Sequence, residues 1–324
     1  HHDYPSLLAE AMDVIWATVL DPKPAAARLM CSATQLTKLL KGHPPALTRV
    51  NQARGEGGLV ARGAGIAHQA RNLWRRGAVS EAAVIPDLVS AVVTFHRERE
   101  LVVPTLHAIE RVRRYAEAGG LRMELVMTLD GDDAETERAI LSHPALRDGD
   151  VLHRVALFDL SLCRNYAIER ARGEFVAILD GDDLFSENWI AAAVRAIVRH
   201  GPATIAHPKM MIAFGTWQAY WDQIDQTDAR FLPETLVSIN HWNACSVARH
   251  EVFVQCPYVY ARVGESGFGF EDWHWNCETI AHGYVHRVVP HTFRLERRKA
   301  EGSLNMAHQS HAAILRPSAF FDSL

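Results

Sequence analysis

Apolar and polar positions in the middle of the chain alternate between two patterns, one typical of strands and one typical of helices. Short runs rich in Val, Ile, Leu and Phe alternate with segments in which apolar residues recur every three or four positions. Strands that alternate with helices of this length form right-handed βαβ units, so the pattern predicts an α/β fold with a mostly parallel sheet. The runs predict strands at Leu88–Phe95, Met123–Leu129, Val151–Val155 and Phe175–Leu179, and the periodic segments predict helices at Leu101–Ala118, Ala134–Ser142, Leu160–Ala171 and Asn188–His200.

The two ends of the chain show other patterns. Helical spacing broken by Pro and Gly predicts a helical accessory or linker segment over residues 1–85. Such a segment offers a surface for a homo-oligomer or for an adjoining domain, but it carries no recognisable chemistry. Beyond Ala203 the pattern is less regular and richer in aromatic residues, and it predicts shorter strands. We therefore expect three parts, at residues 1–85, 86–200 and 201–324.

Composition narrows the class of protein. The 324 residues are 48% hydrophobic and 22% charged, which is ordinary for a globular protein. A formal charge of −4 disfavours a nucleic-acid binder, which would carry a basic surplus. Five scattered cysteines without a Cys-x-x-Cys pair disfavour a disulfide framework and favour a reducing compartment. The sequence has no transmembrane stretch and no signal-peptide pattern, so we expect a cytoplasmic protein, either free or peripheral at a membrane.

The tetrapeptide Asp-Gly-Asp-Asp occurs twice, at Asp130–Asp133 and at Asp180–Asp183, and each copy directly follows a predicted strand. Because ligands of open α/β sheets bind at the carboxyl ends of the strands, both acidic groups are expected to border one crevice. Carboxylates gathered there repel one another unless a cation or a sugar hydroxyl lies among them, and Mg²⁺ and Mn²⁺ prefer such oxygen ligands. The alternative is a solvated acidic turn that caps the following helix.

Five segments, in this order, resemble the family-2-type glycosyltransferases with the GT-A fold. They are Thr94-Phe95-His96-Arg97, Asp130, Leu160–Ala167, Gly173–Asp183 and Gly267–Trp273. The resemblance runs from about Val89 to Arg298 and departs at Cys163 and Ala167, where Ala and Gly are usual. It implies an inverting transferase that uses Mn²⁺ or Mg²⁺ and moves a sugar from a nucleotide-diphosphate sugar, UDP-sugar above others, to a hydroxyl of a glycan or other acceptor. Residues 86–200 would bind this donor, and residues 201–324 would bind the acceptor and supply the base.

The resemblance also implies roles for individual residues. Asp272 would be the general base, and Glu271 would contact sugar hydroxyls. Asp182 would bind the metal at the diphosphate, and Asp180 would contact this metal, directly or through water, or bind the ribose. The predicted contacts to the donor nucleotide are Thr94, His96, Arg97, Asp130, Asp132, Arg164, Asn165, Asp180 and Gly181.

Histidines and tryptophans of the second half have two interpretations each. The resemblance implies a further metal ligand from a later histidine, either His291 or His308, whereas a surface role is the plainer interpretation. Sugar rings stack on aromatic faces, so the tryptophans could form an acceptor platform, whereas core packing is plainer for each one. The predicted acceptor residues are Trp217, Trp242 and Trp273.

Plainer structural roles also compete at the charged residues. Arg164 could pair with a carboxylate of an Asp-Gly-Asp-Asp segment instead of contacting phosphate. Asp132 or Asp133 could cap the next helix. Glu271 and Asp272 could start a helix, because acids suit the positive end of the helix dipole.

Two other functions share some of these features. A sugar-nucleotide pyrophosphorylase or other nucleotidyltransferase should carry a Gly-rich basic loop after the first strand, and residues 94–100 contain no glycine. A Ca²⁺-dependent carbohydrate-binding protein would not need the pair Glu271-Asp272. The sequence therefore favours a glycosyltransferase over both alternatives.

Overall fold

The computed structural model describes residues 36, 38, 41, 85–300, 302 and 304–324. The chain divides into two units, His1–Glu81 and Ala82–Leu324, and the sheet described here lies in the second. The helical segment predicted at residues 1–85 lies, apart from these few positions, outside the described residues, so it stays a prediction.

A nine-stranded mixed sheet forms the centre of this unit. Its strands are β1 (Ile85–Phe95), β2 (Arg122–Asp130), β3 (Val151–Val155), β4 (Gly173–Asp180), β5 (Leu184–Phe185), β6 (Thr204–Gly215), β7 (Ala219–Asp222), β8 (Ser246–Arg249) and β10 (Val285–Arg298). The strand order is β3-β2-β1-β4-β8-β6-β10-β5, with β7 paired to β6. Strands β1 to β4 are parallel, β8 is antiparallel to β4 and β6, and β10 is parallel to β6. Six strands therefore end at the same edge of the sheet.

Helices cover both faces of this sheet. They are α1 (Val102–Ala118), α2 (Ala134–Leu141), α3 (Leu160–Ile168), α4 (Trp189–His200), α5 (His250–Gln255), α6 (Val263–Ser266), α7 (Glu271–Ala281) and α8 (Leu304–Ser310). Residues of α1, α2 and α4 share one apolar core with Val89, Ala91 and Val93 of β1. Residues of α3 and α5 share the opposite core with Val92. Strand β1 buries both faces, which explains why its sequence is apolar without alternation.

The strands and helices predicted between residues 86 and 200 are confirmed, with ends shifted by a few positions. The expectation of shorter strands beyond Ala203 is confirmed for β7 and β8, which have four residues each, but it is wrong for β6, with 12 residues, and β10, with 14. The register of β10 against β6 shifts between Val289 and Phe293, and this irregularity interrupts the alternation that marks a strand in sequence. Two short strands, β9 (Phe268–Gly269) and β11 (Ile314–Leu315), pair separately. None of the described helices is both long and apolar enough to cross a bilayer.

Two histidines, His207 of β6 and His286 of β10, are buried side by side. Both are 0% exposed, and Nε2 of His207 lies 2.8 Å from Nδ1 of His286. Their outer nitrogens lie 3.2 Å from the Cys245 carbonyl oxygen and 2.9 Å from the Thr279 hydroxyl. Burial lowers the pKa of His207 to about 3, and burial together with His207 lowers the pKa of His286 well below its usual value. Both rings are therefore neutral in the folded protein at neutral pH.

We expect the unfolding free energy to fall as the pH drops below about 6.5. The unfolded chain protonates His207 near its ordinary pKa, whereas the folded chain does so only near pH 3, so this stability is present above pH 6.5 and is lost towards pH 3. For His207 alone the loss is about 2 kcal/mol at about pH 5. Urea unfolding at neutral pH and at about pH 5 measures it, and His207→Gln should show a smaller difference. Equal unfolding free energies of the wild type at both pH values would contradict the conclusion that His207 and His286 are neutral in the folded protein.

Candidate active site

The carboxyl ends of β1, β2, β4 and β10 border one cavity of about 600 Å³. Its wall also includes the start of α7 and one side of α8. This volume lies in the range of small-molecule sites. The first acidic tetrapeptide reaches the cavity through Asp130, and the second reaches it through all four of its residues, 180–183. One crevice therefore collects both acidic strand ends, as the sequence predicts.

Two buried arginines hold the second acidic tetrapeptide. Asp180 accepts hydrogen bonds from Arg164 at 2.9 Å and from Arg294 at 2.6 Å. Asp183 accepts a hydrogen bond from Nε of Arg294 at 2.5 Å and one from the Arg297 backbone N–H at 2.8 Å. Burial raises the pKa of Asp180, but Arg294 and Arg164 outweigh burial and hold this pKa below its usual value. Asp180 is therefore ionised, and arginine engages both of its oxygens.

Replacing Arg294 by Met should lower the free energy of unfolding by about 3–5 kcal/mol, because the buried carboxylates Asp180 and Asp183 would lose their shared cation. Urea unfolding measures this loss. The matched control is Arg154→Met, which removes a surface ion pair with Glu137 and should leave the free energy of unfolding nearly unchanged. Equal losses in the two variants would contradict the stabilising role of the buried network.

Asp182 lies on the cavity wall, where it forms an ion pair with Lys299 at 2.7 Å. Arg297 donates a hydrogen bond to its backbone carbonyl oxygen at 2.9 Å. Burial raises the pKa of the nearby Glu98 to about 7, although Lys299 opposes the shift. The end of β10 and the residue after it thus add three cations to the cavity wall, Arg297, Arg298 and Lys299.

Gly181 allows the acidic loop to lie against the end of β1. A Cβ atom at this position would lie 2.6 Å from the Thr94 carbonyl oxygen, which is closer than real Cβ atoms come. Any side chain would therefore push the loop away from β1. Gly181 has this packing role in addition to its position on the cavity wall.

Asp130 is the acid that the first tetrapeptide brings to the cavity. It is 6% exposed and accepts hydrogen bonds from the backbone N–H groups of Leu157 and Phe158, at 2.8 and 2.9 Å. Thr94 and His96 line the same end of the cavity, and Nδ1 of His96 lies 2.7 Å from the Asp130 carbonyl oxygen. Three of the predicted donor contacts therefore lie together.

Three other predicted donor contacts lie elsewhere. In the described part of the chain, Arg97 and Asp132 are exposed and do not border the cavity. Asn165 uses its side chain to bind the backbone N–H and carbonyl of Tyr258, at 3.0 and 2.7 Å, and so holds a loop in place. Asp133 caps α2, so the capping interpretation is correct for this residue.

Arg164 joins the acidic loop to the first turn of α7. It is 1% exposed and donates to Asp180 at 2.9 Å and to Glu271 at 3.0 Å. Its guanidinium lies 5.2 Å from the centroid of the Tyr258 ring. The ion-pair interpretation is correct for Arg164. Its ion pairs with Asp180 and Glu271 hold the acidic loop and the start of α7 in fixed positions relative to each other.

The two acids in the first turn of α7 have different surroundings. Glu271 is 7% exposed and forms an ion pair with Arg164. Asp272 borders the cavity, and the hydrogen bond it accepts within the described residues comes from the Trp273 backbone N–H at 2.8 Å. Burial raises the pKa of Asp272 to about 7, Glu271 adds to the shift, and Arg164 opposes it. A carboxylate with such a pKa is an effective proton acceptor near neutral pH.

The two histidines that were predicted as metal ligands differ in position. His308 of α8 borders the cavity, is 3% exposed, and has no hydrogen-bond partner at either ring nitrogen within the described residues. Its ring packs on Gly269, where a Cβ atom would lie 2.8 Å from Cδ2. His291 is exposed in the irregular part of β10, away from the cavity wall, and its carbonyl oxygen accepts a hydrogen bond from Asn188. The structure therefore does not support the expectation for His291.

The three tryptophans that were predicted to bind acceptor also differ. Trp242 is 1% exposed and stacks on His286 with 4.3 Å between the ring centroids, so core packing is the correct interpretation. Trp273 is half-buried, and its indole N–H donates to the Leu236 carbonyl oxygen. Trp217 is 53% exposed, and the Arg298 guanidinium lies over one face of its ring.

The charged groups on the cavity wall that no sequence motif indicates include Glu98, Asp159 and Arg262. Glu98 follows the predicted first strand closely enough that its position at the sheet edge was foreseeable. Asp159 caps α3 and also accepts from the Ala261 backbone N–H. Arg262 lies in a loop and binds the carbonyl oxygens of Leu157 and Phe158, about a hundred positions earlier in the sequence. No local sequence pattern therefore reveals its place in the site.

The sequence and the fold are similar to those of known proteins. The family model described as Glycosyl transferase family 2 matches residues 90–255. The fold is similar to that of S. aureus TarS 1–349 in complex with UDP-GlcNAc, with a TM-score of 0.53 and 13% identity, over 67% of this chain and 60% of that one. It is also similar to GalNAc-T7 with UDP, GalNAc and Mn²⁺, with a TM-score of 0.50 and 18% identity, over 66% of this chain and 44% of that one. No curated protein matches the sequence.

The matched family region begins in β1, includes both acidic tetrapeptides and ends in α5. The two structural likenesses confirm the predicted GT-A fold, with its curled, mostly parallel sheet between helices. The chain spans less than two-thirds of either structure, so these likenesses establish the fold and no more. Because the family model covers more than half of the 324 residues, the chain carries a glycosyltransferase domain and belongs to glycosyl transferase family 2.

Proposed function

We propose that this protein is an inverting, metal-dependent glycosyltransferase that moves a sugar from a UDP-sugar to a hydroxyl of a glycan or other acceptor. One observation carries the proposal: a single cavity brings together an acidic loop, a row of cations and a carboxylate whose pKa burial raises to about 7. The structures of similar fold contain UDP-GlcNAc in TarS and UDP in GalNAc-T7, which supports a uridine nucleotide as the donor.

The donor would lie along the carboxyl ends of the strands. Its nucleoside would contact the group formed by Thr94, His96 and Asp130, which lie together at one end of the cavity wall. Its diphosphate would lie beside Arg297 and Lys299, because these cations border the same wall next to the acidic loop. The transferred sugar would then lie between the diphosphate and α7.

A divalent metal, Mn²⁺ or Mg²⁺, fits the residues on this wall. Asp182 offers a carboxylate, and His308 offers an imidazole without a hydrogen-bond partner among the described residues. Asp180 already accepts from two arginines, so it would orient the loop. No described group of three or more His, Cys, Asp or Glu side chains is arranged to hold a metal, so substrate phosphates and water would supply the remaining ligands. When bound, such an ion neutralises charge on the diphosphate.

Asp272 would accept the proton of the acceptor hydroxyl as that oxygen bonds to the anomeric carbon of the donor sugar. The bond from this carbon to the diphosphate oxygen breaks at the same time, and the electron pair leaves with the nucleoside diphosphate. Attack from the face opposite the leaving group inverts the anomeric configuration. Glu271 would act as a positioning residue, because its ion pair with Arg164 anchors the first turn of α7.

Thermal unfolding in the presence of nucleotides tests this proposal. UDP and UDP-sugars should raise Tm when Mn²⁺ or Mg²⁺ is present, because a ligand that binds only the folded state stabilises it. A nucleotide without metal should give a smaller shift. If no nucleotide changed Tm with any divalent metal, the proposed function would be wrong.

A further inference from the structure

A second cavity, of about 450 Å³, lies on the half of the molecule that carries the aromatic residues. We call it the tryptophan cavity, and it is lined by Trp217, Trp221, Asp222, Ile224, Ile239, Asn240, His241 and Arg298. Of these residues, Arg298 also borders the active-site cavity. The tryptophan cavity takes no part in the reaction proposed above, so its composition requires a separate explanation.

The two indole rings of this cavity are open to solvent. Trp217 is 53% exposed and Trp221 is 37% exposed, and their ring centroids are 6.3 Å apart at an angle of 35°. Contiguous exposed apolar side chains with a polar rim often mark a ligand-binding groove. The carboxylate of Asp222 and the side chains of Asn240 and His241 add hydrogen-bonding groups at the rim. Aromatic faces ringed by polar groups match a sugar ring, which has apolar C–H faces and hydroxyls at its edge.

The position of the tryptophan cavity is fixed relative to the active site. Thr216 donates both its backbone N–H and its hydroxyl to the Arg298 carbonyl oxygen, at 3.0 Å each, which holds the turn after β6 against the end of β10. The Arg298 guanidinium lies 5.4 Å from the centroid of the Trp217 ring. An indole face attracts a cation at this distance. This contact holds Arg298 beside Trp217, where Arg298 forms a common wall between the two cavities.

We propose that the tryptophan cavity binds a sugar unit of an extended acceptor, at a distance from the unit that receives the new sugar. The assignment of the bound chain as acceptor rests on the proposed function, whereas the binding of an oligosaccharide does not. Because Arg298 borders both cavities, an oligosaccharide bound at the tryptophan pair can extend towards the cavity that Asp272 borders. A single sugar at the active site would leave the tryptophan cavity empty, so the structure assigns an oligosaccharide or longer glycan as the acceptor class.

Binding to a printed array of defined oligosaccharides, followed by calorimetry with the strongest binder, tests this site. Trp217→Ala and Trp221→Ala should each weaken oligosaccharide binding by about tenfold, because each removes one stacking face. The matched control is Tyr220→Ala, since Tyr220 is 79% exposed on the same strand as Trp221 and does not line either cavity. UDP binding with Mn²⁺, measured in the same variants, should be unchanged. Trimming the oligosaccharide to a monosaccharide should reduce affinity in the wild type.

The outcomes separate this proposal from the proposed function. If the wild type bound no oligosaccharide on the array, or if both tryptophan variants bound as tightly as the wild type, the oligosaccharide site would be refuted, whatever the result with UDP. If oligosaccharide binding followed the tryptophans but UDP did not bind, the cavity assignment would stand and the transferase proposal would fail. If the monosaccharide bound as tightly as the longer chain, an extended acceptor would be excluded.

Discussion

Asp272→Asn is expected to lower the rate of sugar transfer by about 10²–10⁴-fold, while the affinity for UDP-sugar stays close to that of the wild type. Asparagine has the shape of aspartate and can still accept the hydrogen bond from the Trp273 backbone N–H, so the start of α7 should keep its structure. It cannot take the proton of an acceptor hydroxyl. The change therefore tests proton transfer separately from donor binding.

Release of UDP from a UDP-sugar, together with calorimetric titration of UDP, measures both parts of this result. The matched control is Asp148→Asn, since Asp148 is exposed and lies away from the cavity wall. Because burial raises the pKa of Asp272 to about 7 and the ionised form is the base, the wild-type rate should rise with pH through about 7 and then level off. Wild-type turnover in Asp272→Asn would refute the assignment of the base.

Asp182→Ala is expected to remove the metal-dependent part of UDP binding. The change deletes the carboxylate that would hold the metal and leaves Lys299 without its partner on the cavity wall. We expect affinity for UDP in the presence of Mn²⁺ to fall by about 100-fold, which corresponds to about 2.7 kcal/mol. Affinity for UDP without metal should change much less, because Arg297 and Lys299 remain.

The first acidic tetrapeptide supplies a matched control for this variant. Asp132 occupies the same position in its tetrapeptide as Asp182 does in the second copy, but it is exposed and does not border the cavity. Asp132→Ala should therefore bind UDP like the wild type, with and without Mn²⁺. If Asp132→Ala and Asp182→Ala lost the same affinity, or if Asp182→Ala kept its response to Mn²⁺, the metal assignment would be wrong.

The donor half of the fold could be predicted from sequence because local signals specify it. Strands β1 and β4 are buried on both faces, so each is a continuous apolar run that ends in polar residues. The acidic tetrapeptides follow β2 and β4, and parallel strands bring such ends to one edge. These facts gave the position of Asp130 and of residues 180–183 without any long-range information.

The rest of the site depends on contacts that sequence does not reveal. Arg294 lies more than a hundred positions from Asp180 and Asp183, and it reaches them because β10 pairs with β6 beyond a register shift. The same pairing places Lys299 at Asp182. The tetrapeptides themselves look equivalent in sequence, yet one gives the cavity a single acid and the other gives it an entire loop. The family resemblance implies different roles for the two copies, and the tertiary structure shows how differently they border the cavity.

Proton NMR of the wild type with UDP-α-sugars and Mn²⁺ tests the central claim most directly, because water can replace the acceptor and the released sugar reports the stereochemistry. We predict that UDP is released and that the sugar appears first as its β-anomer, before mutarotation. First appearance of the α-anomer would contradict an inverting reaction with Asp272 as base, and a panel of UDP-sugars that all remained intact would contradict the transferase proposal itself.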